Sequence, residues 1–270
     1  MYRRTIQDKF ISRFNSIRYS ITEPIMLRIA RARYGHLYSN ITEDPLVSVM
    51  IPTYNRGQLL VDRTLPSIFA QTYQNLEVVI VGDCCSDNTP ELLAQIKDPR
   101  LRFFNLPQPG QYPEDISCRW FIAGVKPANK ALKLIRGKWI AWLDDDDVFT
   151  PDHIEKLLRF AQKERYEFVA GLYEEERNGK RLIMGHRLNE YPEYGGHSTW
   201  LYKSYLRFFR YNANSWRKSW NRPGDIDLQL RMRAAGVWMG ALDHVVTYVL
   251  PRLGSSTVGL AAHEIESKKQ

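Results

Sequence analysis

From Pro45 onward, short apolar runs alternate with amphipathic stretches. Leu46 to Ile51, bounded by prolines, is a continuous apolar run of the kind a strand shows when both its faces are covered. Leu76 to Val81, Leu101 to Phe104 and Lys138 to Leu143 repeat that signal. Helices are expected between them: 58–70, with Leu59, Leu60, Ile68 and Phe69 apolar and Pro66 in its middle, then 88–97 and 127–136. Pro151 at a first turn opens a further helix through about residue 163, with Ile154, Leu157, Leu158 and Ala161 on one face. Strand and helix in alternation predict an α/β domain with a mostly parallel, Rossmann-like sheet flanked by helices. Further on, Tyr166–Tyr173 and Arg181–His186 read as strands around an Asn178-Gly179 turn. The aromatic-rich stretch after Gly195 reads as partly helical, Asp225–Ala235 as a helix and Val245–Leu250 as a last strand.

The first 44 residues have a different texture. Ile6, Phe10, Ile11, Phe14, Ile17 and Ile21 recur at three-to-four-residue spacing, and Arg3, Arg13 and Arg18 lie on the other faces. Such a basic amphipathic helix either packs on the main domain or a partner, or lies in an anionic membrane surface. Pro24 is expected to separate it from a second helix near 25–34. The net charge of +8 is concentrated here: residues 1–40 hold eight basic and two acidic residues. The remainder is nearly balanced, so a polyanion such as nucleic acid is not an indicated partner. There is no apolar run of membrane-spanning length and no secretory leader pattern. Three cysteines, two of them adjacent at Cys84 and Cys85, form no disulfide framework; the expected location is cytoplasmic, with peripheral membrane contact through residues 1–34.

Ligands of open α/β sheets bind beyond the carboxyl ends of the strands, so those residues carry the chemistry. Pro52-Thr53-Tyr54-Asn55-Arg56 follows the first strand and Gly82-Asp83-Cys84-Cys85-Ser86-Asp87-Asn88-Thr89 the second. Neither has the glycine spacing of a dinucleotide or Walker loop. Their short polar side chains suit a base or ribose bound edge-on, or else cap helices with Asp87 or Asn88 as N-cap. The fourth strand runs into Asp144-Asp145-Asp146-Asp147. Four carboxylates there are costly without a cation; they suit Mg²⁺ or Mn²⁺ clamping a diphosphate, the alternative being a solvated acidic turn. Near the end, Asp225 and Asp227 point roughly 200° apart on a helix, so at most one faces a site. Asp225 is either an N-cap or a general base for a hydroxyl nucleophile.

The order IPTYNR, VIVGDCCSDNT, ANKAL…GKWIAWLDDDD…TP and GDIDLQLR resembles the family 2 glycosyltransferases, which have the GT-A fold, over about residues 46–250. The resemblance implies an inverting, metal-dependent, hexosyltransferase-like enzyme that moves a sugar from a nucleoside-diphosphate sugar, a UDP-sugar favoured, to a glycan or lipid-linked acceptor in surface polysaccharide or glycolipid synthesis. It implies a helical extension at 1–44, a GT-A domain at 45–250 and a tail at 251–270. The domain then has a nucleotide-binding half at 45–150 and an acceptor and catalytic half at 151–250. Pro52, Thr53, Tyr54, Arg56 and Asp83 fall where the nucleoside is held, and Asp144 and Asp145 where ribose and sugar are contacted. Asp146, with Asp144, falls where Mn²⁺ or Mg²⁺ is bound in the DxD-type motif. Asp225 takes the general-base position, with Asp227 as second choice. Asn129 and Arg119 are candidates for the diphosphate, and His197 and Trp200 for acceptor stacking. Two departures stand out: the usual second aspartate beside Asp83 is Cys84, and the usual Glu-Asp of the catalytic helix is Gly224-Asp225. A nucleotidyltransferase is disfavoured, because Gly57 is the only glycine in the first loop. A non-catalytic sugar-nucleotide-binding or membrane-associated protein is the alternative of a different class.

Overall fold

The structure, a computed structural model, describes residues 2–185, 195–218, 223–251 and 256–262. In chain order these form α1 (Ile6–Tyr34), β1 (Val47–Thr53), α2 (Gly57–Leu59), α3 (Leu65–Phe69), β2 (Leu76–Gly82), α4 (Thr89–Gln95), β3 (Leu101–Asn105), α5 (Ile116–Trp120), α6 (Val125–Leu134), β4 (Trp139–Trp142) and β5 (Val148–Phe149). There follow α7 (His153–Lys163), β6 (Phe168–Arg177), β7 (Lys180–Met184), β8 (Trp200–Lys203), α8 (Gly224–Ala235) and β9 (Met239–Val249). His186, Trp220 and His263 lie outside the described residues.

The sheet runs β3-β2-β1-β4-β8-β6-β9-β5, with β7 hydrogen-bonded to β6. Its first four strands are parallel, as expected. The second half is mixed: β8 is antiparallel to both β4 and β6, β9 is parallel to β6, and β5 is antiparallel to β9. Strand alternation sorts the core. Val47, Val49, Ile51, Val78 and Ile80 pack on one side with Leu65, Ile154 and Leu158, while Met50, Val79 and Val81 pack on the other with α6 and Leu27 of α1. Glu77 is buried in β2. Burial works against its charge, but bonds from the Ser48 hydroxyl (2.6 Å), the Arg136 amide (2.6 Å) and Arg102 (2.6 Å) outweigh that and hold its carboxyl below the usual range.

Several expectations are corrected. The helix foreseen over 58–70 is broken: a π-helical turn, Leu60–Thr64, separates α2 from α3. Pro66 cannot donate to the carbonyl four residues back, and the wider turn, in which the Leu65 amide reaches Leu60, absorbs the loss. Pro151 precedes α7 in a turn instead of opening it. The stretch after Gly195 contributes strand β8 at the centre of the sheet, flanked by short 3₁₀ turns.

The N-terminal segment differs most. Pro24 lies inside a single 29-residue helix. Its inward face adds Leu27 and Ala30 to the core but is held mainly by charge: Asp8 pairs with Arg217, Glu23 with Arg231, and Arg31 grips Glu167 at 2.7 and 2.5 Å. These anchors lie on both sides of Pro24, so one lost helical bond does not break the helix. A Thr5/Asp8 capping box closes its start. The expected apolar stripe consequently points away from the domain, with Ile6 87%, Phe10 70% and Phe14 57% exposed. Among the described residues, no helix is long and apolar enough to cross a membrane.

His153 at the start of α7 is fully buried, stacked on Phe149 at 3.5 Å, and donates from Nδ1 to the Val246 carbonyl at 2.8 Å. Burial lowers its pKa from 6.5 to about 3. Above pH 6.5 the ring is neutral whether the chain is folded or not. As pH falls from 6.5 toward 3, the unfolded chain takes up a proton that the folded one refuses, and stability is lost at up to about 1.4 kcal/mol per pH unit. Urea midpoints between pH 7 and 4.5 are expected to fall less steeply in His153→Asn than in the parent; equal slopes would remove this assignment.

Candidate functional site

β2, β1 and β4 are neighbours, so the loops leaving their carboxyl ends share one edge of the sheet. Thr53 is the last residue of β1 instead of a loop residue, and it and Pro52 are buried, whereas Tyr54 is 56% exposed. Asn55, at φ 52°, accepts the Ser86 amide at 2.9 Å and ties the first loop to the second. Gly57 has no room for a side chain: a Cβ would stand 2.6 Å from Thr89 Cα, and the Gly57 amide donates to Thr89 Oγ1 at 2.8 Å. The single glycine of that loop thus serves contact between loops. Asn88 stands at the start of α4 without a side-chain cap, and Asp87 accepts the Thr89 amide at 3.1 Å.

Asp83 is buried, its Oδ1 accepting the Gly110 amide at 3.0 Å and its Oδ2 the Tyr112 hydroxyl. Each oxygen keeps a second lone pair for a ligand. Tyr112 has no signal in the sequence, since it lies on an irregular segment 29 residues from Asp83. Cys84 adopts φ 63°, and Cys85 is buried with its thiol pushed up by burial, which suits loop residues and not nucleophiles.

The acidic run alternates inward and outward. Asp145 is the brace: its carboxylate accepts Thr53 Oγ1 at 2.8 Å and Arg56 at 2.7 Å, and its carbonyl accepts Thr64 Oγ1 at 3.0 Å. Arg56 also reaches Asp146 at 3.3 Å. Asp144 accepts the Trp142 indole at 2.7 Å. Ser198 donates to Asp147 at 2.6 Å and stands 3.2 Å from Asp144. Burial raises the Asp144 carboxyl, and burial together with the charges of Asp144 and Asp146 raises Asp147 well above the usual range. The group is short of positive charge. Among the described residues no cluster of three His, Cys, Asp or Glu side chains that could hold a metal is assembled. Hard oxygen donors of this kind nevertheless fit Mg²⁺ or Mn²⁺ in its usual mode, held by one or two carboxylates together with substrate phosphates.

The N-terminus of α8 faces the same region. A Cβ on Gly196 would lie 3.7 Å from Asp225 Oδ2, and the charges of Asp225 and Asp144 both reach the buried Tyr211, whose phenol burial pushes up. Pro223, not Asp225, is the N-cap residue. Among the described residues no cation pairs with Asp225. Asp227, 0% exposed, is neutralised twice, by Lys218 and by Arg231 at 2.9 Å. His197 stacks on Trp142 at 4.2 Å, and its Nε2 is buried with no partner among the described residues. Trp200 is a correction: it is 1% exposed, packs edge-on to Phe168 at 5.0 Å and belongs to the core, so no sugar can stack on it. Asn129 is likewise committed elsewhere, its amide bonding the backbone of Tyr211 in both directions (2.9 and 3.0 Å). Arg119 donates to the carbonyls of Pro113 and Glu114 at 3.3 and 3.4 Å. Ser198, which reaches the acids from 51 residues away, carries no signal in the sequence for that role.

The profile of Glycosyl transferase family 2 matches residues 48–112 and 127–223, which span these strand ends and the His197 region. The chain belongs to that family. Family 2 relatives include the Escherichia coli UDP-Glc:alpha-D-GlcNAc-diphosphoundecaprenol beta-1,3-glucosyltransferase WfgD, 30% identical over 49% of this chain and 47% of its own length. The succinoglycan biosynthesis protein ExoO of Rhizobium meliloti is 35% identical over 45% of this chain and 31% of its own. The chain thus matches less than half the length of these curated relatives. The GT-A fold expected of the family is found. S. aureus TarS, in complex with UDP-GlcNAc, aligns with a TM-score of 0.60 at 19% identity, over 78% of this chain and 60% of that one. The mannosyltransferase PcManGT of Pyrobaculum calidifontis, in complex with GDP-Man and Mn²⁺, aligns at 0.58 and 15% identity, over 92% of this chain and 76% of that one.

In this family 2 chain the Thr53–Asp145 bond joins β1 to the acidic strand end. Thr53→Val keeps the shape and leaves one buried carboxylate oxygen without its donor. The expected cost is about 1–3 kcal/mol in urea unfolding; a change within a few tenths would show that the bond is no brace.

Proposed function

We propose that this protein transfers a sugar, with inversion, from a nucleoside-diphosphate sugar to an acceptor hydroxyl, with Asp225 as general base. The observation that carries the reading is the contrast within α8. Asp225 stands beside Gly196 with no cation paired to it among the described residues, while Asp227 two residues on is buried and twice neutralised. A base must be able to take a proton, and of the two aspartates Asp225 is the one without a paired cation among the described residues.

Pro52, Thr53, Tyr54 and Asp83 form the nucleoside end of the cleft, where the exposed Tyr54 ring offers a stacking face. Arg56 neutralises part of the acidic edge, so a diphosphate can approach it. Asp146, with Asp144 beside it, would hold Mn²⁺ or Mg²⁺; when bound, such an ion offsets the charge growing on the departing diphosphate. Asp225 withdraws the acceptor proton as the hydroxyl oxygen bonds to the anomeric carbon, and the electron pair of the breaking C–O bond leaves with the diphosphate. His197 Nε2, buried without a partner among the described residues, is available to an acceptor or sugar hydroxyl. A UDP-sugar donor and a glycan or lipid-linked acceptor are supported by likeness to the UDP-GlcNAc complex and to a relative named for transfer onto a diphosphoundecaprenol-linked sugar. Three free cysteines suit a reducing, cytoplasmic site for the reaction.

Asp225→Asn is expected to lower kcat by about 10²–10⁴-fold while Mn²⁺-dependent UDP binding and the melting temperature hold. Asp227→Asn is expected instead to cost roughly 3–5 kcal/mol of stability, since it uncovers buried cations. An Asp225→Asn enzyme with full turnover of a UDP-sugar would overturn the assignment.

A further inference from the structure

Helix α1 is held mainly by charge inside and is apolar outside. At 3.6 residues per turn, its buried positions Asp8, Asn15, Glu23, Leu27 and Ala30 centre on one side, and Ile6, Phe10, Phe14, Ile17, Ile21 and Ile25 centre on the opposite side. All six of those apolar side chains are more than half exposed. The strip extends to Ile29, making it about 35 Å long at 1.5 Å per residue. The helix cannot simply roll to bury it. Rotation would tear Asp8 from Arg217, Glu23 from Arg231 and Arg31 from Glu167, leaving buried charges unpaired.

The charges beside the strip select what covers it. Lys9, Arg13, Arg18, Arg28 and Arg33 are exposed on the helix, and its only two carboxylates, Asp8 and Glu23, are buried on the inward face and paired. The outward surface of α1 therefore presents cations and apolar groups with no acid of its own. A second copy laid against it would bring cations against cations. An anionic lipid surface instead supplies phosphates for the arginines and an acyl boundary for the isoleucines and phenylalanines. We propose that the outer face of α1 is a docking surface for an anionic phospholipid bilayer, on which the helix lies in the interface plane without crossing it. The polar face meanwhile fixes the rest of the protein to the helix, since Arg231, which holds Glu23, also holds Asp227 on the helix that carries Asp225.

Flotation with vesicles of phosphatidylcholine, alone or mixed with phosphatidylglycerol, tests this without turnover, so its outcome is separate from that of sugar transfer. The full chain is expected to float with the mixed vesicles and not with the neutral ones, and to be released as ionic strength rises. Phe10→Ser with Phe14→Ser, and separately Arg13→Glu with Arg18→Glu, are each expected to weaken the partition on the order of tenfold or more. All four positions are exposed, so the melting temperature is expected to hold. Lys163→Glu, on the 82%-exposed side chain at the end of α7, is expected to change nothing. Equal flotation with neutral vesicles, undiminished flotation of either double variant, or a dimer that the Phe10/Phe14 variant dissolves into monomers would each overturn the proposal.

Discussion

Four carboxylates in succession at the end of a buried strand repel one another where water screens them least, and much of the cleft is arranged around that repulsion. Asp145 is drawn inward and spent on Thr53 and Arg56, which fastens the end of β1 to the end of β4. Asp147 is pushed toward its neutral form and held by Ser198, a residue brought in by the chain just before the central strand β8. What remains less buried is Asp146, which Arg56 reaches, and Asp144, whose carboxyl burial pushes up.

The same currency, buried charge, sets the N-terminal helix. Burying Asp8 and Glu23 on the helix and Glu167 on the domain is tolerable because each meets an opposite charge, and together these pairs fix which way α1 faces. Burial, helped by the negative charge of Asp227, raises Glu23 to about 7 despite its arginine. An apolar seam facing outward is thus a consequence of where the ion pairs are, and not of any lack of hydrophobic surface.

The parallel half of the sheet was legible because its central strands are buried on both faces and so are written as mostly apolar runs, broken only by the paired Ser48 and Glu77; β1, β2 and β4 fell within two residues of their expected bounds. The Asn178-Gly179 hairpin was legible for the complementary reason that both residues take positive φ, at 53° and 71°. Strand β8 was not, since Trp-Leu-Tyr-Lys sits in an aromatic stretch without alternation and owes its place to pairing with both β4 and β6. Nor was the orientation of α1, because periodicity identifies an apolar face but not the partners of the polar one, which lie up to 209 residues away. In the site, the aspartates were readable from their place after strands. Tyr112 on Asp83, Ser198 between the acids and the burial of Trp200 depend on the folded chain.

The two aspartates of α8 show how helix geometry separates structure from chemistry within a single turn. A two-residue step turns a side chain through roughly 200°, so neighbours in an Asp-x-Asp pattern look into different surroundings. One look inward meets Lys218 and Arg231 and is absorbed into the contact between α8 and α1. The other look opens toward Gly196, where a Cβ would stand in ordinary contact, 3.7 Å from the carboxylate. The inward aspartate ties α8 to Lys218 and, through Arg231, to α1, which fixes the outward one beside Gly196. Sequence periodicity could say that the two differ, but only the positions of the cations say which is which.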